Sequence, residues 1–121
     1  VLGSNGNDVI RGTPGNDVIN GLGGNDVINA GNGGNDEICG GDGNDVINSG
    51  DGNDRINGGA SRDVINSGSG NDQVYGLQGN DVINTQVGND LIDGGPDNDV
   101  GNAGPGIDKC FNVEVSSNCE P

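Results

Sequence analysis

Hydrophobic side chains in this chain are sparse and evenly spaced. Ile10, Ile19, Ile28, Ile38, Ile47, Ile56, Ile65, Val74, Ile83 and Ile92 recur at nine-residue steps, with one step of ten, before the series breaks at Gly101 and Cys110. One branched aliphatic in nine residues is too few for a helix face, and the glycines between them exclude a helix in any case. The spacing suits a three-residue strand whose middle side chain points inward while its neighbours point out. The polar positions keep the same beat. An aspartate stands two residues before each aliphatic position, at Asp8, Asp17, Asp26, Asp36, Asp45, Asp54, Asp63, Asp72, Asp81, Asp90, Asp99 and Asp108. A fixed period over almost the whole chain predicts a solenoid.

Written as nine positions with the aspartate sixth, the units run Gly3 to Arg11, Gly12 to Asn20 and Gly21 to Asn29. Ala30 then enters as one extra residue, and nine further units follow from Gly31 to Phe111. The fourth position is glycine except at Ser61 and Asp97, as a turn with positive φ or a close ligand requires. The fifth is asparagine except at Arg62 and Ile107. That column reads as turn chemistry, since asparagine tolerates left-handed backbone and bonds its own main chain.

Composition sharpens the question of what holds such a chain together. It is 28% hydrophobic and 2% aromatic, has 27 glycines, and carries a formal charge of -15. On those figures alone it would be disordered, so something outside the polypeptide must supply folding free energy. Twelve of the 19 acidic residues are the register aspartates, which points to a metal scaffold. Four basic residues, Arg11, Arg55, Arg62 and Lys109, argue against nucleic acid and anionic membrane. No apolar run approaches a membrane span. With no histidine, no base beside a serine or cysteine and no aromatic cluster, no enzyme is expected. The start at Val1 reads as a mature, processed product or as a fragment of a longer array.

The unit Gly40-Gly41-Asp42-Gly43-Asn44-Asp45-Val46-Ile47-Asn48 matches every fixed position of the nonapeptide GGxGxDxUx, and the chain resembles the RTX family from Gly3 to about Asp99. The resemblance implies an all-β solenoid, a right-handed parallel β-roll in which two nonapeptides make one 18-residue coil, with Ca2+ held in the turns between coils. It implies that the twelve register aspartates are the metal ligands together with loop carbonyls. Six turns on each edge leave at most five gaps, hence roughly eight to ten ions. The same ion follows from the residues alone. Stacked turns bring like-charged aspartates about 4.8 Å apart, and carboxylate and carbonyl oxygens without a histidine or cysteine column select Ca2+ over Zn2+. Asp42 and Asp51 offer further oxygens. Departures at Ser61-Arg62, Thr85-Gln86-Val87 and Pro96-Asp97 put their sites in doubt, and Arg62 could replace a cation with its own charge.

If two units make a coil, odd and even units lie on opposite faces. The odd face carries a ladder of Val9, Val27, Val46, Val64, Val82 and Val100 beside Asn29, Asn48, Asn66, Asn84 and Asn102, whereas the even face is varied. A flat apolar ladder of this kind marks a contact surface. Cys110 and Cys119 read as a disulfide closing a C-terminal cap, residues 112–121, over a repeat roll of residues 1–111. A disulfide implies an extracellular setting. Cys39, roughly 19 Å from Cys110 along the stack, is either a free thiol or an intermolecular link. The N-terminal end, with Val1 and Leu2, has no equivalent cap. The leading expectation is a secreted structural or binding module that folds with Ca2+. Two alternatives are a self-assembling fibre or dimer through the Val/Asn face and the open start, and ice binding through the same flat sheet.

Overall fold

In the computed structural model, which describes Val1 to Glu120, thirteen short strands wind into a parallel β-solenoid. They are β1 (Val9–Arg11), β2 (Val18–Asn20), β3 (Val27–Asn29), β4 (Glu37–Asp42), β5 (Val46–Asn48), β6 (Arg55–Ala60) and β7 (Val64–Asn66). Then follow β8 (Gln73–Gln78), β9 (Val82–Asn84), β10 (Leu91–Asp93), β11 (Val100–Asn102), β12 (Lys109–Phe111) and β13 (Val115–Ser117). Every repeat strand reads polar-or-open, inward, open, as the sequence pattern requires. Each pairs in parallel with the strand two along, so Val9 lies beside Val27 and Val27 beside Val46. One coil is therefore 18 residues, or 19 where the single extra residue falls. Odd strands form a seven-stranded sheet, β1-β3-β5-β7-β9-β11-β13, and even strands a six-stranded one.

Between the sheets runs a narrow core of the ten spaced aliphatics from Ile10 to Ile92, with Ala30 and Ala103, none more than 5% exposed. Branched side chains suit this role because their χ1 stiffness fits a pleated, half-buried strand. Ala30 is not the residue left over. It sits fully buried, its N–H donating to Asn48 O at 2.9 Å, in the seat that Gly12, Gly21 and Ser49 take in their own coils. The extra residue is absorbed just after it, in the turn 31–34.

Successive turns lie in such close contact that the backbone itself fills the gap. At Gly43, with φ 120°, a Cβ would stand 2.0 Å from the carbonyl oxygen of Gly24. Ser61, Gln86 and Asp97 take the same left-handed backbone, with φ of 80°, 68° and 89°, so the departures from the repeat keep its path at a cost of about 1–2 kcal/mol each.

The tail does more than close the end. Residues 115–117 add β13 to the seven-stranded sheet, placing Val115 beside Val100 and Ser117 beside Asn102. Val113 fills the space that Gly101 leaves in the aliphatic column, approaching to 3.0 Å of where its Cβ would be. Cys110 is disulfide-bonded to Cys119 and both pack on the core with Val113. Pro121, the last residue of the proposed cap, lies outside the described residues. At the other end Val1–Gly3 runs beside β2, with Asn20 N–H donating to Val1 O and Gly3 N–H to Asn20 O. Val1 and Leu2 nonetheless remain exposed and leave the core end bare of apolar cover.

Candidate metal centre

The register aspartates point inward. From Asp26 to Asp108 all ten are at most 3% exposed. They form two columns, one along each edge of the roll, because a coil contributes one turn to each edge. Within a column the coils are tied by carboxylates. Asp8 N–H donates to Asp26 Oδ1, Asp26 to Asp45, Asp45 to Asp63 and Asp63 to Asp81, each at 2.8 Å. The other edge repeats this from Asp17 through Asp36, Asp54, Asp72 and Asp90 to Asp108 at 2.8–2.9 Å. At the C-terminal end Glu114 takes over, its Oε2 accepting from Asp99 N–H at 2.7 Å.

That accounts for one oxygen of each carboxylate. The second, Oδ2, is buried without a hydrogen-bond partner in Asp26, Asp36, Asp45, Asp54, Asp63, Asp72, Asp81, Asp90, Asp99 and Asp108. Asp8 and Asp17 differ: their Oδ2 atoms accept from the backbone N–H and hydroxyl of Ser4 and of Thr13. Burial, the largest cause, pushes Asp63 up to about 7, against the lowering influence of the Asp45 N–H and with the Asp81 and Asp45 carboxylates adding to the rise. Burial likewise pushes Asp45, Asp72 and Asp81 up to about 6 and raises Asp36, Asp90 and Asp99.

These oxygens fit a hard cation. They are acceptor-only, buried and stacked at the strand spacing of about 4.8 Å, so a divalent ion between two of them would relieve both the missing partner and the repulsion. Among the described residues no three acidic, cysteine or histidine side chains converge into a cage. The carboxylates are brought into columns, not clusters, and the rest of a coordination shell would come from turn carbonyls. The turns in doubt keep their place, since Asp63, Asp90 and Asp99 remain buried in their columns. Arg62 is exposed. Asp42 and Asp51 are exposed as well.

The asparagine column is not local turn chemistry. None of its members has positive φ, and every side chain but that of Asn98 bonds the next coil: Asn25 N–H donates to Asn7 Oδ1, Asn44 to Asn25, and on the other edge Asn35 to Asn16 and Asn53 to Asn35. Aspartates thus accept from the coil before and asparagines from the coil after. The first position of the unit also points inward, and sequence reasoning passed over it. On one edge it is Gly21, Gly40, Gly58, Gly76 and Gly94; on the other it is Ala30, Ser49, Ser67, Thr85 and Ala103, all buried. Its signal was a preference for small residues that splits between alternate units.

On the outer faces, Val9, Val27, Val46 and Val100 are exposed while Val64 and Val82 are half-buried. Asn29 and Asn102 are exposed, and Asn48, Asn66 and Asn84 are linked by side-chain amide bonds at 3.1 and 3.3 Å. Cys39 is free and half-buried on the six-stranded sheet. Burial, then Asp45 and Asp63, push its thiol up, which keeps it protonated and slow to react.

A parallel roll with two buried carboxylate columns is the architecture of a calcium-binding solenoid. The family model of the RTX calcium-binding nonapeptide repeat matches residues 2–37, 30–47, 40–74, 48–83 and 75–110. The chain belongs to that family and is a calcium-binding repeat module. No curated protein matches it in sequence.

Proposed function

We propose that this is a secreted module whose folding and calcium binding are one event, with the register aspartates as its ligands. The observation that carries the reading is the set of ten buried Oδ2 atoms without a partner. Each such atom costs about 1–3 kcal/mol or more, while burying one isoleucine contributes about 1.5–3 kcal/mol. The metal-free roll therefore gives back at its aspartates much of what its core supplies. Bound Ca2+ supplies positive charge between successive carboxylates and lets them stay ionised. Asp26, Asp45, Asp63, Asp81 and Asp99 would serve one edge, and Asp36, Asp54, Asp72, Asp90 and Asp108 the other. Four gaps on each edge separate these carboxylates, and Asp8 and Asp17 bound one more on each, which supports roughly eight to ten ions. The first coil is the weaker end, because Ser4 and Thr13 already engage its carboxylates.

An extracellular location is supported by the Cys110–Cys119 disulfide and by the family's calcium chemistry, since extracellular modules bind in the range of about 10⁻⁴–10⁻³ M. The chain would stay unfolded where Ca2+ is scarce and coil where it is plentiful. Far-ultraviolet circular dichroism during a Ca2+ titration and subsequent chelation tests this. A β-spectrum that appears with Ca2+ and vanishes with chelator is the expected result, and a spectrum indifferent to chelator at neutral pH rejects the reading.

A further inference from the structure

The two edges differ at the residue that faces each carboxylate. Along the glycine edge, a Cβ at Gly40, Gly58 or Gly76 would stand 2.4–2.6 Å from Oδ2 of Asp45, Asp63 or Asp81, and 2.5–2.9 Å from the carbonyl oxygen of the next glycine in the column. Nothing but glycine fits beside those oxygens. Along the other edge the same seats hold side chains, and three of them are hydroxyls buried completely: Ser49, Ser67 and Thr85. Ser49 Oγ donates to Ser67 O at 2.7 Å, Ser67 Oγ to Thr85 O at 3.4 Å and Thr85 Oγ1 to Ala103 O at 2.9 Å.

A hydroxyl has one proton and two lone pairs. Here a carbonyl of the next coil is within reach of that proton. The seat itself faces the carboxylate, since on this same edge a Cβ at Gly12 would stand 2.6 Å from Oδ2 of Asp17, and Ser49, Ser67 and Thr85 hold that seat ahead of Asp54, Asp72 and Asp90. Whichever acceptor takes the proton, the hydroxyl keeps both lone pairs, and it holds them buried beside the carboxylate column. An uncharged oxygen so placed is what a hard cation takes as an additional ligand.

We propose that the edges carry two classes of calcium site: carboxylate-and-carbonyl sites along the glycine edge, and sites completed by the hydroxyls of Ser49, Ser67 and Thr85 along the other. The inference rests on the calcium reading above and assigns to these three residues a direct contact with the ion. A buried ladder kept only for hydrogen bonding would leave the ions' own shells alike on both edges.

The experiment uses the full chain with Ca2+ in calorimetry and with Eu3+ as a luminescent stand-in whose excited-state lifetime counts coordinated water. In the variant Ser49→Ala/Ser67→Ala/Thr85→Ala, one class of Ca2+ sites should weaken about tenfold, in line with the loss of a supporting group at a metal. Bound Eu3+ should gain water, because a water replaces each missing hydroxyl. Since the triple variant can fail to fold, Thr85→Ser and Thr85→Val are measured beside it. Thr85→Ser should keep the native affinity and hydration, while Thr85→Val should lose affinity and gain water. Unchanged affinity classes and unchanged hydration in Thr85→Val overturn the inference while leaving the calcium reading intact. A native chain that binds no Ca2+ removes both, so the two failures are distinguishable.

Discussion

Along the glycine edge every turn enters through a residue with no side chain, and along the other, after Gly12 in the first coil, it enters through alanine, serine or threonine. Both edges hold five buried carboxylates with an unpartnered oxygen, and both follow the same backbone path. What differs is what surrounds that oxygen. On the glycine edge it is pressed against main chain, and burial drives three of its aspartates, Asp45, Asp63 and Asp81, up to about 6 or 7. On the hydroxyl edge, polar side chains share the column and offset part of the same penalty at Asp72, which still rises to about 6, and at Asp90. A repeat that looks uniform by its aspartates therefore offers two local environments to the same ion.

Steric room gives the largest expected contrast. Gly40→Ala would set a Cβ 2.5 Å from both Asp45 Oδ2 and Gly58 O, and overpacking of this kind costs about 1–3 kcal/mol. The equivalent seat on the other edge already holds Ala30 without exposure, so Ala30→Gly should cost about 0.5–1 kcal/mol, from backbone freedom. Urea unfolding in saturating Ca2+ compares the two directly. Equal costs would mean that the edges are not sterically distinct.

Removing the metal exposes the electrostatic side of the contrast. Asp45, Asp63, Asp72 and Asp81 have folded values raised above the ordinary 3.8. A raised acid stabilises the fold fully below its unfolded value and loses that contribution as pH rises through its folded value. The metal-free roll should thus be most stable near pH 4 and lose stability as pH climbs through about 6 to 7. Asp63→Asn, neutral at every pH, should flatten that decline more than Asp72→Asn. Denaturation midpoints in chelator across this range test the point, and a metal-free chain that gains stability with rising pH contradicts it.

Much of this was legible beforehand because period and chemistry coincide. The isoleucine column specified the strands and their inward residue, the resemblance to the nonapeptide family specified the 18-residue coil, and the aspartate column picked out the carboxylates of the turns. Ala30 was misplaced because counting nines from the left cannot tell which of two adjacent small residues takes an inward seat; burial decides that. The serine and threonine seats looked like scatter along the chain and became a ladder only when alternate units were stacked. Val113 answers Gly101 across twelve residues, a complementarity of volumes that no local pattern encodes. The asparagines were assigned to the right turns but to the wrong partner, since a side chain that bonds the neighbouring coil has the same local signature as one that bonds itself.

That asparagine ladder yields the smallest contrast and the most specific one. On the hydroxyl edge it runs unbroken from Asn16 through Asn35, Asn53, Asn71 and Asn89, with Ile107 N–H as the last donor. On the glycine edge it reaches Arg62, which donates its N–H to Asn44 Oδ1 at 3.0 Å but has no side-chain oxygen to accept from Asn80. Arg62→Asn supplies that oxygen at a site whose backbone is already in place. One restored hydrogen bond is worth about 0.5–1.5 kcal/mol, less whatever the loss of a cation costs in a chain of charge -15. High salt screens the second term and leaves the first, so the gain in unfolding free energy should grow between low and high ionic strength. A variant that is no more stable than the parent even in high salt would mean that the ladder contributes nothing across that gap, and that the glycine edge is held there by its carboxylates alone.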